Sequence, residues 1–209
     1  VHLLMPGLTA RLENAFFETV QRAIIQKHQE HHQTDPSTNK KVSFGVARVA
    51  NIPPCVALAE YLMMADWPDD IEVKVMAYHS QQVLLMRSVQ EKHLDEVLKR
   101  KNPLAVFEHP HIKRQLETTH AQNVIYILVA TPVEEVGRDH DFDWAVVEPS
   151  SYRSIIQLAG RVLRHRNIEP ALPNMALLEY NLKGLKQKNV PANDRKAVFC
   201  RPGYEGGAW

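Results

Sequence analysis

Asn123-Val124-Ile125-Tyr126-Ile127-Leu128-Val129-Ala130-Thr131 holds no charged side chain and does not alternate apolar with polar residues. A strand with one wet face alternates; an unbroken run of β-branched and large apolar residues is a strand covered on both faces, as in the middle of a parallel sheet. The run is far shorter than the roughly 18 residues a membrane span needs. Upstream, Val42 to Val49 reads as a strand with Val42, Phe44 and Val46 on one face, and Ile71 to Ala77 alternates apolar residues with Glu72 and Lys74. Downstream, Trp144 to Val147 and Met175 to Glu179 are short strands.

Helical spacing fills the gaps between these strands. Leu8, Leu12, Phe16, Val20, Ile24 and Ile25 predict a long helix over 8–32. Pro53 and Pro54 open a helix of about 54–64, where proline is tolerated. Ser80 is expected to cap a helix of about 81–100, and Ser150 or Ser151 one of about 152–165. His109 and His111, flanking Pro110, mark a further helix start. Strands alternating with helices define an α/β fold, a parallel sheet with helices on both faces, whose ligands sit outside the carboxyl ends of the strands.

The chain has 209 residues, 44% hydrophobic and 23% charged, which suits one α/β domain over 1–182, led by helix 8–32, with a Lys-, Asn-, Gly- and Pro-rich tail over 183–209. The net charge of +1 announces no nucleic-acid partner, so any basic surface is local. Val1 to Leu12 has no basic stretch ahead of an apolar core, so no leader is expected. Cys55 and Cys200 have no metal spacing and read as reduced thiols of a cytoplasmic protein. His28, His31 and His32 lie near a helix end; without the His-Glu-x-x-His order they read as a polar helix end, and no metal site is expected. Lys99-Arg100-Lys101 and Lys113-Arg114 read either as helix-closing cations or as phosphate contacts.

The strongest chemical signal is Gln157-Leu158-Ala159-Gly160-Arg161-Val162-Leu163-Arg164. On a helix, Gln157, Arg161 and Arg164 share one face. Two guanidiniums one turn apart suit a polyphosphate, because arginine stays charged and grips oxygens in a fork. Gly160 lets a neighbouring backbone or phosphate come close, and Arg166 extends the cluster. The plainer alternative is a solvated basic face. After the apolar strand come Thr131-Pro132-Val133-Glu134-Glu135-Val136-Gly137-Arg138-Asp139. A hydroxyl and a glycine there can donate to phosphates, and an aspartate can accept from a ribose hydroxyl. The plainer alternative is an ordinary loop with Glu134 and Glu135 solvated.

Together these segments resemble motifs V and VI of superfamily 2 helicases: Val129-Ala130-Thr131 with Gly137-Arg138-Asp139, and Gln157-x-x-Gly160-Arg161-x-x-Arg164. Asp139-x-Asp141-x-Asp143-Trp144, Gly45-Val-Ala-Arg48-Val-Ala-Asn51-Ile52 and Tyr78-His79-Ser80 narrow the resemblance to the CRISPR-associated helicase-nucleases of type I systems, especially subtype I-F. The resemblance implies a second RecA-like motor domain. Arg161 and Arg164 would reach ATP as arginine fingers, aligned by Gln157 beside Gly160, with Gly137 and Asp139 lining the nucleotide side. Thr131, Asn51 and His79 would touch the DNA backbone. Many superfamily 2 members carry Asp after the motif V threonine; this chain has Pro132.

The resemblance further implies ATP and Mg2+ held mainly by a first RecA-like domain, since this sequence has no Gly-x-x-x-x-Gly-Lys-Ser/Thr loop and no Asp-Glu-x-His box. The other partners implied are single-stranded DNA, an HD nuclease domain and the RNA-guided surveillance complex, with no membrane. Two alternatives remain on the sequence alone: a RecA-like module kept only for binding nucleic acid or protein, and a superfamily 2 helicase of RNA or repair.

Overall fold

The computed structural model describes residues 6–135, 139–187, 190–194, 198–201 and 204–206. The long helix α1, Pro6–His31, leads into a two-residue strand β1, Gln33–Thr34, and then β2, Lys41–Arg48. Helix α2, Ile52–Met64, strand β3, Ile71–Tyr78, helix α3, Leu84–Leu98, and helix α4, Pro110–Thr118, follow. The apolar run forms β4, Asn123–Ala130. Beyond it come β5, Trp144–Val147; α5, Tyr152–Ala159; β6, Met175–Leu177; α6, Leu182–Gln187; and a small antiparallel pair, β7, Val198–Arg201, and β8, Tyr204–Gly206.

The main sheet runs β3-β4-β2-β5-β6, all parallel, and β1 adds an antiparallel bridge at the start of β2. β4 sits between β3 and β2 over its whole length, which is why its residues read as buried on both sides. Phe16, Val20, Ile24, Leu58, Ile125, Ile127, Val129, Trp144 and Leu182 fill one side of the sheet, beneath α1, α2 and α6. Phe44, Leu94, Val97, Ile112, Leu116, Leu128, Phe142 and Leu158 fill the other, beneath α3, α4 and α5. The step from β2 to β3 moves one way across the sheet with its helix on the first side. The steps from β3 to β4 and from β5 to β6 move the other way with their helices on the second side. A single crossover handedness requires this division.

Gly45 is fixed by its cross-strand neighbour. A Cβ there would lie 2.1 Å from the indole of Trp144, the residue paired with it on β5. His28 is buried, with Nδ1 2.8 Å from Ser43 Oγ and Nε2 3.1 Å from Asn123 Oδ1, so it ties α1 to the sheet.

Two expected helices are shorter. α3 begins at Leu84, after Val83, and Ser80 lies in the preceding turn instead of capping it. α5 stops at Ala159 instead of reaching 165. Gly160 caps it, and a distant partner holds the chain beyond: Phe142 N–H donates to Arg161 O at 2.8 Å, and Leu163 N–H donates to Phe142 O at 2.9 Å. The chain leaves the helix along that bridge, with Leu163 at φ 53°. Gln157, Arg161 and Arg164 therefore do not share one helical face.

Candidate functional site at the carboxyl edge

The connection after β2 leaves toward α2, whereas those after β3 and β4 leave toward the opposite side of the sheet. Neighbouring loops that part in this way open a crevice at the carboxyl edge. Here it is a cleft of about 540 Å³ lined by Ala50, Asn51, Ile52, Pro53, Ser80, Gln81, Thr131, Pro132 and Val133. Asn51 precedes α2 in extended conformation, and its side chain makes no capping bond to that helix. Thr131 is tied by its N–H to Tyr78 O at 3.1 Å, and its carbonyl accepts from Glu134 N–H at 3.2 Å, starting a tight turn over Pro132–Glu135. The structure thus brings Asn51 and Thr131 together. His79 is half-buried just outside the lining, its N–H 3.2 Å from Gln82 Oε1. Ser80 and Gln81, read from sequence as a helix cap and its first turn, line the cleft instead.

The arginine side lies beyond this turn. Ser151 caps α5, accepting from Ser154 N–H at 3.2 Å. Arg161 is nearly buried and donates from Nη2 to Glu135 O at 3.2 Å, while its Nε has no hydrogen-bond partner among the described residues. Arg164 is exposed; its Nε donates to Asp139 Oδ1 at 2.8 Å and its Nη1 to Gly160 O at 3.1 Å. His165 Nε2 stands 3.1 Å from the same Asp139 oxygen. The bond from Arg164 holds the Asp139 carboxyl below its usual range, with help from His165. Burial and the neighbouring Arg164 pull the Arg161 guanidinium down. Gln157 is half-buried and Gly160 exposed at the end of α5. Gly137 lies outside the described residues.

Beneath this surface is a buried ion network that the sequence did not reveal. Arg166 clasps Asp141 (2.7 Å from Nη2 to Oδ1) and also pairs with Asp143, while Arg100 Nη1 donates to Asp143 Oδ1 at 2.8 Å. Asp141 further accepts the Arg164 and His165 N–H groups, and Asp143 accepts the Phe44 N–H at 2.7 Å. Arg166 and Arg100 are therefore neither an extension of the exposed cluster nor a surface patch. In the Asp139-x-Asp141-x-Asp143 run, Asp141 and Asp143 turn inward to anchor the loop, and Asp139 meets the exposed guanidinium of Arg164. Glu134 and Glu135 are also buried, not solvated. Glu134 pairs with the buried His140, and Glu135 with Arg48.

The parallel α/β sheet thus carries a polar cleft and two arginines gathered at its carboxyl edge. The sequence model of the family described as CRISPR-associated nuclease/helicase Cas3, C-terminal, matches residues 41–167. The chain is 40% identical over 194 residues, 91% of its length, to the CRISPR-associated nuclease/helicase Cas3 subtype I-F/YPEST of Pectobacterium atrosepticum, and 42% identical over 180 residues, 85% of its length, to that of Pseudomonas aeruginosa. It spans 17% and 16% of the lengths of these two relatives. A crystal structure of T. fusca Cas3 with AMPPNP superposes with a TM-score of 0.49 at 15% identity, covering 71% of this chain and 15% of that one. This chain belongs to the Cas3 C-terminal helicase-domain family. Among the described residues no helix is long and apolar enough to cross a membrane.

Proposed function

We propose that this chain is the arginine-bearing half of an ATP-dependent single-stranded DNA translocase acting in CRISPR interference. The observation that carries the reading is the pairing of Arg161 and Arg164 at the carboxyl edge. Among the described residues, Arg161 keeps an unpartnered, buried Nε, and Arg164 is exposed with a solvent-facing carboxylate as its counter-ion. Two crowded cations with unused donors fit a polyphosphate, whose oxygens would satisfy Arg161 Nε and draw Arg164 from Asp139. When bound, ATP supplies the transferable phosphoryl group, and the bulk of its cradle and the Mg2+ would belong to a first RecA-like domain. Gln157 and Gly160, beside the arginines, would face that domain. Gly137 and Asp139 would line the nucleotide side, Asp139 close to the ribose.

Asn51 and Thr131, with Ser80 and Gln81 beside them, would take the DNA backbone in the 540 Å³ cleft, with His79 at its rim. Phosphate contacts of this kind hold a strand without reading its bases, as a translocase needs. The HD nuclease and the RNA-guided surveillance complex are proposed as partners of the longer protein, acting in the cytoplasm. The test is ATP hydrolysis by this chain with and without the upstream motor domain, plus and minus single-stranded DNA. Turnover only with both domains and DNA is expected. Absence of turnover in every combination would mean that the fold is kept for binding.

A further inference from the structure

Arg48 closes β2, is 1% exposed, and is used by neither the cleft lining nor the arginine pair described above. Its Nη2 donates to Ser150 Oγ in the loop before α5, and its Nε lies 3.2 Å from Glu135 Oε1. Glu135 ends the turn that begins at Thr131. Its Oε1 also accepts from Ser154 Oγ in the first turn of α5, and its backbone carbonyl accepts from Arg161 Nη2 at 3.2 Å. On the other flank, the Arg48 carbonyl accepts from Glu148 N–H at 2.9 Å, and the Glu148 carboxylate accepts the Ala50 N–H next to Asn51. The end of β2, the turn after β4, the β5–α5 loop and the first turn of α5 therefore converge on one guanidinium–carboxylate pair.

Burying such a pair is a poor way to gain stability, since an apolar pair of the same volume often does as well. What it gives is geometry. Arg48 Nη2 donates to Ser150 Oγ, while Nε faces Glu135 Oε1 as an ion pair and neither Nε nor Nη1 has a hydrogen-bond partner among the described residues, so the position of Glu135 is set by charge against a guanidinium fixed at Ser150. We propose that Arg48 is a positioning residue for Arg161: it holds Glu135, Glu135 holds the Arg161 guanidinium, and the same pair ties the Asn51–Thr131 cleft to the arginine side of the edge. DNA pressing on the cleft would thereby be transmitted to the residue that meets ATP. This rests on the proposed reading of Arg161 as an arginine finger.

The test is a double-mutant cycle in the full-length protein, with DNA-stimulated ATP hydrolysis as the readout. Arg48→Gln is expected to lower kcat by roughly ten-fold with KM for ATP little changed, because small misplacements of a catalytic group are costly. DNA stimulation should fall more than basal turnover. Arg161→Lys keeps the charge and loses the fork, and is expected to be slow alone. Introducing Arg48→Gln into Arg161→Lys should then cost less than about two-fold, because residues that act through one another are not additive. An equal fold loss in both backgrounds overturns the proposal, as does a stimulation ratio unchanged from the parent. Normal kcat in Arg161→Lys alone removes the arginine-finger reading itself, an outcome distinct from additivity. Should Arg48→Gln fail to fold, Glu135→Gln runs the same cycle. It keeps the acceptor for Ser154 and the backbone carbonyl for Arg161, and removes only the charge that faces Arg48.

Discussion

Arg164 and Asp139 restrain one another on the outer side of the edge, and each has a separate readout. In the full-length protein, Arg164→Ala is expected to cut hydrolysis by roughly 10³-fold or more, the scale of an arginine finger, while DNA binding stays within about two-fold. Near-normal turnover would remove the finger assignment. The same substitution removes the Arg164 bond from Asp139 and leaves His165 beside it. Because the bond from Arg164 is the main cause of its lowered carboxyl pKa, that pKa should climb back toward the ordinary aspartate range. A carboxyl lowered by folding contributes stability above its unfolded value and loses it as pH falls through the folded one; Arg164→Ala should remove that acid-side contribution. A side-chain NMR titration of Asp139 reads the shift directly, and an unchanged midpoint would contradict the pairing. Two glycines make a contrast at this scale. Gly45→Ala drives a methyl into Trp144 at 2.1 Å and should cost about 1–3 kcal/mol of stability by thermal unfolding. Gly160 has φ −67°, and a Cβ there would meet Gln157 O at 3.5 Å and Ile156 O at 3.8 Å, both ordinary contacts, so the isolated fold should tolerate Gly160→Ala. Lost turnover of the full-length variant with an unchanged melting curve would mean that something outside this chain needs the space.

At the scale of elements, strands were the most legible. β4 and β5 lie where an unbroken apolar run put them, since burial on both faces leaves a mark on every residue. Helix ends were the least legible. Gly160 caps α5, its N–H on Ile156 O and Leu158 O, and Phe142, on a different segment, bridges to the chain beyond it; one-dimensional spacing carries no trace of that bridge. The buried charges were hidden for a related reason. Arg100, Asp141, Asp143 and Arg166 look like surface residues until their partners are known, because charged side chains are seldom fully buried unless paired. Asp141 tests that network. It accepts two backbone N–H groups and the Arg166 fork, so Asp141→Ala leaves a buried guanidinium poorly paired and should destabilise the domain by about 3–5 kcal/mol. Ser151→Ala, which removes only the α5 cap, should cost about 1 kcal/mol. Denaturant unfolding of the two variants should rank them in that order, and equal losses would mean that the network does not anchor the loop.

For the whole molecule, the motifs placed the cleft residues and the arginines on one edge, and they also defined what this chain does not supply. Asn51 and Thr131 were legible because each follows a strand whose end the apolar pattern marks. Ser80 and Gln81 were missed because a serine before an apolar helix reads as a cap. The candidate nucleotide side offers few donors. Arg161 has an Nε with no partner among the described residues, but its Nη2 is engaged by Glu135, and Arg164 would have to leave Asp139 before it could meet a phosphate. Displacing that ion pair and ordering a flexible polyphosphate both oppose binding, and neither is offset by a loop of backbone N–H groups such as a phosphate cradle provides. This chain alone is therefore expected to bind ATP no more tightly than roughly millimolar, about 4 kcal/mol of standard free energy. Addition of the upstream motor domain should tighten it by orders of magnitude. Calorimetry distinguishes the cases. Micromolar binding by this chain alone would show that the nucleotide is held mainly on this side of the cleft, with Arg161 and Arg164 as its principal ground-state ligands and not as groups that wait for the transition state.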